Sequence, residues 1–237
     1  MHVASFFGRL VVLKLNGWAR LVPIIVQSVP STMNTNAVDR KHGLYVLGRP
    51  WIVLEVDDGV FALETPPDLH GAISNVYHSH LDSVEPGTWI TKRLEWSEVK
   101  GCISLLYECM VDVGAAVAPP AEEDFGPANF ALVEVSKGVA TAGKTTSCGF
   151  DVHVDNGAVV SGPVWTAIVY MECTADGGEL EIFADEDDNF PPIATIPCRG
   201  MVVMRGNVPH RPAPIEAIGG AGVRGAVIFQ LPALSLR

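Results

Sequence analysis

Two pairs of apolar runs, each joined by a dipeptide suited to a tight turn, set the pattern of the first quarter of the chain. Residues 10–15 and 18–22 flank Asn16-Gly17, and residues 51–56 and 60–63 flank Asp58-Gly59. Asn-Gly and Asp-Gly accept the positive φ of a two-residue turn, so both stretches predict β-hairpins. The period changes after Glu95. Trp96, Val99, Ile103, Leu106 and Met110 recur at intervals of three and four, with Ser97, Glu98 and Lys100 off that stripe. Between about residues 95 and 113 this predicts an amphipathic helix, the one helix that the pattern supplies. Residues 115–124, with Pro119-Pro120 among them, read as a connector. Short β-branched and aromatic runs follow at 131–135, 166–170, 179–183, 201–204 and 223–229, several of them introduced by glycine. They predict strands, and the chain as a whole is expected to be mainly β.

Composition places these elements in one globular unit. A chain of 237 residues that is 48% hydrophobic and 18% charged can bury a full core within a single domain. We expect residues 1–120 to supply N-terminal strands and a supporting helix, and residues 125–237 a catalytic core. Arg9, Lys14 and Arg20 interrupt the N-terminal apolar run, so no membrane span is expected. The absence of acidic residues before Asp39 is shared with cleaved targeting segments, but the hairpin pattern is the preferred reading. Five cysteines, at 102, 109, 148, 173 and 198, without a CxxC pair, suit reduced thiols in a cytoplasmic protein, with Cys148 read as a small core residue.

Charge narrows the partners. Residues 121–237 carry seven Lys and Arg against fifteen Asp and Glu, which accounts for −8 of the chain's net −11. Such a surface repels polyanions, which argues against nucleic acid as substrate and for a small-molecule or peptidyl one. The acidic run at 185–188 reads most simply as a solvated loop, the alternative being a substrate-facing lip that attracts cations.

The candidate chemistry lies in His153-Val154-Asp155, with His210 and Arg224 further on. In extended backbone residues i and i+2 share a face, so His153 and Asp155 can present an imidazole and a carboxylate to one point. A second histidine would complete a two-histidine, one-carboxylate set, the donor arrangement that leaves positions on Fe(II) open. On an alternating strand Arg224 shares a face with Ala226 and Ile228, and an arginine between apolar layers needs an anionic partner, either a protein carboxylate or a ligand. A second HxD spacing, His80-Leu81-Asp82 preceded by His78, reads as a polar loop ahead of Pro86-Gly87. Gly138 to Thr145 fits GxxxxGK[ST] by letter. A phosphate loop requires a helix starting at Lys144, however, and the residues that follow are β-branched and broken by glycine.

The run HVDN, TAIVY, GGELEIF, GMVVM, VPHRPAPI and GVRGAVIFQL, within about residues 146–231, resembles the 2-oxoglutarate and Fe(II)-dependent dioxygenases, in particular their prolyl-hydroxylase-like branch. That resemblance implies a double-stranded β-helix, the cupin-type jelly roll, with N-terminal hairpins and at least one supporting α-helix. It implies His153, Asp155 and His210 as iron ligands, Arg224 as the anchor of the distal carboxylate of 2-oxoglutarate, and Tyr170 as a hydrogen-bond partner of the same co-substrate. Some relatives carry another tyrosine about ten residues before the first ligand, where this chain has Gly143-Lys144-Thr145-Thr146. The implied activity is hydroxylation of an unactivated C–H bond with Fe(II), O2 and 2-oxoglutarate, releasing succinate and CO2. The substrate would be a peptidyl, prolyl-like residue or an amino-acid-like small molecule. The alternatives from other classes are a cupin-like binding or sensor protein without turnover, and a nucleotide-binding protein using residues 138–145.

Overall fold

A computed structural model describes the strands at 9–15, 18–24, 42–45 and 52–57, and residues 59–81, 83–119, 121–122, 131–155, 164–186, 191–217 and 221–234. In chain order the elements are β1 (Arg9–Leu15), β2 (Trp18–Ile24), β3 (His42–Tyr45), β4 (Ile52–Asp57), β5 (Val60–Leu63), α1 (Pro67–His80), β6 (Thr88–Arg93), α2 (Trp96–Asp112), β7 (Leu132–Thr141), β8 (Val164–Cys173), β9 (Asp176–Gly177), β10 (Leu180–Ile182), β11 (Ala194–Ile196), β12 (Met201–Arg205), β13 (His210–Pro212), β14 (Ile215–Glu216) and β15 (Ala221–Pro232). Eight of them form an antiparallel sheet in the order β3-β4-β5-β12-β8-β15-β7-β6. A three-stranded sheet, β11-β10-β13, and a pair, β14-β9, accompany it.

Both expected hairpins are present as strand pairs. β1 and β2 pair from Arg9↔Ile24 to Leu15↔Trp18, and β4 pairs β5; Asn16, Gly17 and Asp58 lie outside the described residues. The expected helix is α2. Glu95 and Glu98 close a reciprocal capping box at its start, the Glu95 amide donating to Glu98 Oε2 at 2.7 Å. Its stripe of Val99, Ile103, Leu106 and Met110 is buried.

One expectation fails here. The region around His78 and His80 is not a loop: α1 runs from Pro67 through His80 and buries Leu69, Ile73 and Tyr77 on one face. Pro67 fits the first turn because its missing N–H has no helical partner there. His80, in the last turn, is bonded to Lys92 through Nδ1 and to Glu98 through Nε2, at 2.8 and 3.0 Å, while Asp82 lies outside the described residues. The phosphate-loop alternative, disfavoured by the sequence, finds no support either. Gly138 to Thr141 belong to β7, Thr141 and Lys144 bridge across a turn, and Thr146 pairs with Ile215. No helix begins at Lys144, so the backbone N–H groups have no phosphate-cradling arrangement. In the connector after α2, Val117 bridges Ala233, just past the end of β15.

Strict alternation divides the large sheet into two faces. Ala167 and Val169 of β8, Met201 and Val203 of β12, and Val227, Phe229 and Leu231 of β15 pack against α1 and α2. Ile168, Tyr170, Val202, Met204 and Ala226 face the other way, against Leu180, Ile182 and Ile196 of the small sheet. Where β8 pairs β15 the register slips by one. Gly225 opposes Glu172 but Ala226 opposes Tyr170, so Met171 is the extra residue of a bulge. Tyr77 of α1 seats itself under Gly225, where a Cβ would collide with the tyrosine hydroxyl.

Candidate functional site

His153 and His210 face each other as a bridge between the segment after β7 and the start of β13. The His153 amide donates to the His210 carbonyl at 3.0 Å, and the His210 amide to the His153 carbonyl at 2.9 Å. The HxD segment is therefore no long strand, as its spacing suggests, but a single bridged residue followed by a bend. The same-face geometry survives because the Asp155 amide is tied to the Gly206 carbonyl at 2.7 Å.

The side chains converge. One ligand atom from each of His153, Asp155 and His210 lies within 4.8 Å of the other two. Nε2 of His153 is 3.9 Å from Asp155 Oδ1, and Nε2 of His210 is 3.8 Å from Asp155 Oδ2. Nδ1 of His153 meets the Asp151 carbonyl at 2.9 Å, and Nδ1 of His210 meets the Val208 carbonyl at 2.8 Å. A carbonyl can only accept, so each ring carries its proton on Nδ1 and turns an Nε2 lone pair toward the shared point. Thr166 of β8 donates its hydroxyl to Asp155 Oδ2 and steers the carboxylate. Such outer contacts fix the orientation of ligating groups. The Asp155 and His210 side chains are 7% and 5% exposed, His153 37%, so His153 marks the solvent side.

Burial holds His210 below its ordinary value of 6.5; His153 adds to this, and Asp155 opposes it. The neutral form, the one with a free Nε2 lone pair, is therefore maintained to lower pH. The linkage has a definite sign. Below pH 6.5 the unfolded chain binds a proton at His210 that the folded metal-free protein does not, so stability conferred by this group is full above 6.5 and lost as pH falls. The metal-free protein should lose up to about 1.4 kcal/mol per pH unit from this one group in that window. Thermal denaturation at pH 7.5, 6.5 and 5.5 measures it, and His210→Asn should flatten the slope below 6.5.

A cavity of about 410 Å³ holds the triad together with Arg224. Arg224, on β15, is 3% exposed. Its Nε donates to the Gly178 carbonyl at 2.7 Å, and its Cζ lies 5.2 Å from the ring of Tyr170 and 5.4 Å from that of Trp89. Among the described residues no carboxylate forms an ion pair with it. Tyr170 lies with its ring against the guanidinium and is not itself one of the cavity-lining residues. Its hydroxyl is buried and has no hydrogen-bond partner among the described residues; burial raises its pKa and the adjacent Arg224 guanidinium opposes the rise.

The structure thus brings together all five residues singled out from the sequence, and it adds others. Trp89 and Arg93 on β6, Glu134 and Ser136 on β7, Gln230 on β15 and the exposed Phe150, 5.6 Å from the His153 ring, also surround the cavity. Burial raises Glu134, with Arg93 opposing and Asp155 adding to the shift. Cys148 is half-buried in the cavity wall, not a core residue. Strand β6 had a readable signal, the aromatic and β-branched run Trp89-Ile90-Thr91 after Pro86-Gly87.

No family model matches the chain, and no curated protein matches it. Similar solved structures include IDO from Bacillus thuringiensis, with TM-score 0.47, 10% identity and coverage of 75% of this chain and 94% of that one. A prolyl 4-hydroxylase from Phytophthora capsici gives TM-score 0.47, 16% identity and coverage of 76% and 60%. An oxidoreductase of the 2OG-Fe(II) oxygenase family from Burkholderia pseudomallei gives 0.46, 12%, 76% and 90%. Several of the solved structures to which this chain is similar are prolyl 4-hydroxylases or members of the 2OG-Fe(II) oxygenase family.

Proposed function

We propose that the protein is an Fe(II)- and 2-oxoglutarate-dependent oxygenase that hydroxylates an unactivated C–H bond of a peptidyl, prolyl-like residue or an amino-acid-like small molecule. The observation that carries this reading is the pairing, in one cavity, of a His-Asp-His triad with a buried arginine that has no carboxylate partner among the described residues. The large sheet and the small sheet would be the two walls of a double-stranded β-helix.

The donor chemistry fits the implied groups. Two neutral imidazoles and a carboxylate would hold Fe(II), which suits N and O ligands with positions left open. Arg224 offers a planar fork to the distal carboxylate of 2-oxoglutarate, and its Nε edge is already fixed by Gly178. The orphaned Tyr170 hydroxyl would gain a partner near that carboxylate. Bound Fe(II), 2-oxoglutarate and O2 supply oxidative decarboxylation to succinate and CO2 coupled to insertion of one oxygen atom into a C–H bond. Ile168, Leu180 and Ile228 line the cavity with apolar surface and exclude water from the reacting region. The substrate enters beside exposed Phe150 and His153, where Arg93 and Glu134 offer polar contacts. Among the described residues no helix is long and apolar enough to cross a membrane.

The test is anaerobic addition of Fe(II) and 2-oxoglutarate, read as the weak visible charge-transfer band of the chelate, followed by a screen for succinate release in air. A protein that forms no such chelate would defeat the reading. Chelate formation without succinate from any peptide or amino acid would instead favour a cupin-like binding protein.

A further inference from the structure

Trp89 lies outside the stretch that resembles the oxygenases and yet contacts the residue assigned to the co-substrate. The reason is register. Trp89 on β6, Gly138 on β7 and Arg224 on β15 are successive cross-strand neighbours. The middle position has no side chain, and the indole lies across it: a Cβ on Gly138 would come within 2.8 Å of Trp89 Cδ2 and collide with Cε3. The indole N–H donates to Ser136 Oγ at 2.9 Å, which fixes the ring along β7. Arg224 is therefore clasped between the Trp89 and Tyr170 rings, with Nε tied to Gly178. A guanidinium held over two ring faces gains cation–π attraction and loses its freedom to swing.

We propose that Trp89 is a positioning residue that sets which 2-oxo diacid the cavity accepts, selecting the five-carbon chain over the six-carbon one. The inference rests on the reading of Arg224 as the carboxylate anchor. The span available to a diacid is the separation between the triad and the guanidinium fork, and the clasp fixes it. Without the indole, the guanidinium keeps only its contact with the Tyr170 ring, so the span is no longer held to one chain length. Gly138 is part of the device, since any side chain there displaces the ring.

The experiment uses the full chain loaded with Mn(II), a redox-stable substitute for Fe(II), titrated calorimetrically with 2-oxoglutarate and with 2-oxoadipate. Wild type should prefer 2-oxoglutarate by about tenfold or more, the scale on which a pocket discriminates one methylene. Trp89→Ala should bring the two dissociation constants to within about threefold of each other, chiefly by tightening 2-oxoadipate. Gly138→Ala should shift the ratio the same way with the indole retained, and Ser136→Ala should do so partially. In wild type loaded instead with diamagnetic Zn(II), the Trp89 indole N–H resonance, assigned by its loss in Trp89→Phe, should move on saturation with 2-oxoglutarate. A purely structural tryptophan would weaken both acids equally. An unchanged ratio in Trp89→Ala and Gly138→Ala, with wild type binding 2-oxoglutarate, overturns the inference alone. A wild-type protein that binds neither acid overturns the Arg224 reading and this inference with it. Should Trp89→Ala fail to fold, Gly138→Ala and Ser136→Ala decide.

Discussion

Replacing His153, Asp155 or His210 by alanine should abolish stoichiometric Fe(II) binding and every activity that depends on it. Three protein ligands are the minimum that leaves the metal both held and open. With one gone, the remaining pair has neither the charge nor the geometry to outcompete water. Asp155 contributes the only negative charge of the three, and His210 is the most enclosed, so these two should be the most sensitive. Thr166→Val tests the layer behind. It keeps the shape but frees the Asp155 carboxylate, and affinity should fall about 10- to 100-fold, the usual cost of losing such a support. His80→Ala is the control, because His80 is engaged with Lys92 and Glu98 at the end of α1. Metal analysis after anaerobic loading and gel filtration reads all five variants. Full iron content in any triad variant would end the assignment.

Arg224→Ala should leave the iron content near normal and weaken 2-oxoglutarate by about 2 to 4 kcal/mol, roughly 30- to 1000-fold in dissociation constant. The site is desolvated, so a carboxylate brought there without its fork of donors keeps its desolvation cost and regains little. Arg224→Lys should fall between alanine and wild type. An ammonium restores charge but cannot place two parallel N–H groups, and it also loses the flat face that fits between Trp89 and Tyr170. Tyr170→Phe removes one hydroxyl and keeps the ring, and should cost about 1 kcal/mol. Because that hydroxyl, beside the Arg224 guanidinium, has no geometrically formed hydrogen bond among the described residues, its loss should cost little folding stability, which separates a ligand role from a structural one. Dissociation constants of the metal-loaded variants and their melting temperatures make the comparison. Wild-type affinity in Arg224→Ala would leave the cavity without its anchor and favour a binding protein of another ligand class.

The residues legible in advance share one property: their signal is local. HxD needs two positions, the strand at Arg224 shows its own alternation, and the stripe of α2 declares itself within five turns. Helix α1 had a comparable signal in Leu69, Ile73, Val76 and Tyr77, spaced by four, three and one. It is diluted by Gly71, Ser74, Asn75 and three histidines, which break the apolar stripe. The strands β9, β11, β13 and β14 have two or three residues each and are too short to show any period. Trp89, Ser136 and Glu134 belong to the cavity only because β6 and β7 continue the sheet beyond β15. No spacing along the chain encodes that adjacency. It comes from strand order, which long-range packing decides.

The slipped register at Met171 has a consequence for how this chain can change length. Tyr170 and Glu172 are two residues apart and in regular pleating would point the same way. The bulge separates them. Tyr170 stands beside Arg224 inside, and Glu172 meets Lys137, at 3.2 Å, on the helix side next to Tyr77. Met171 thus acts as a frame marker inside β8. Its deletion would force one of two outcomes: Tyr170 stays inside and Glu172 is driven in after it, or Glu172 keeps its lysine and the tyrosine is turned out among the helices. Insertions before β8 or after β15 leave this phase intact. Descendants of this sequence should therefore vary freely in length at those ends and stay invariant in length, though not in identity, from residue 164 to 173.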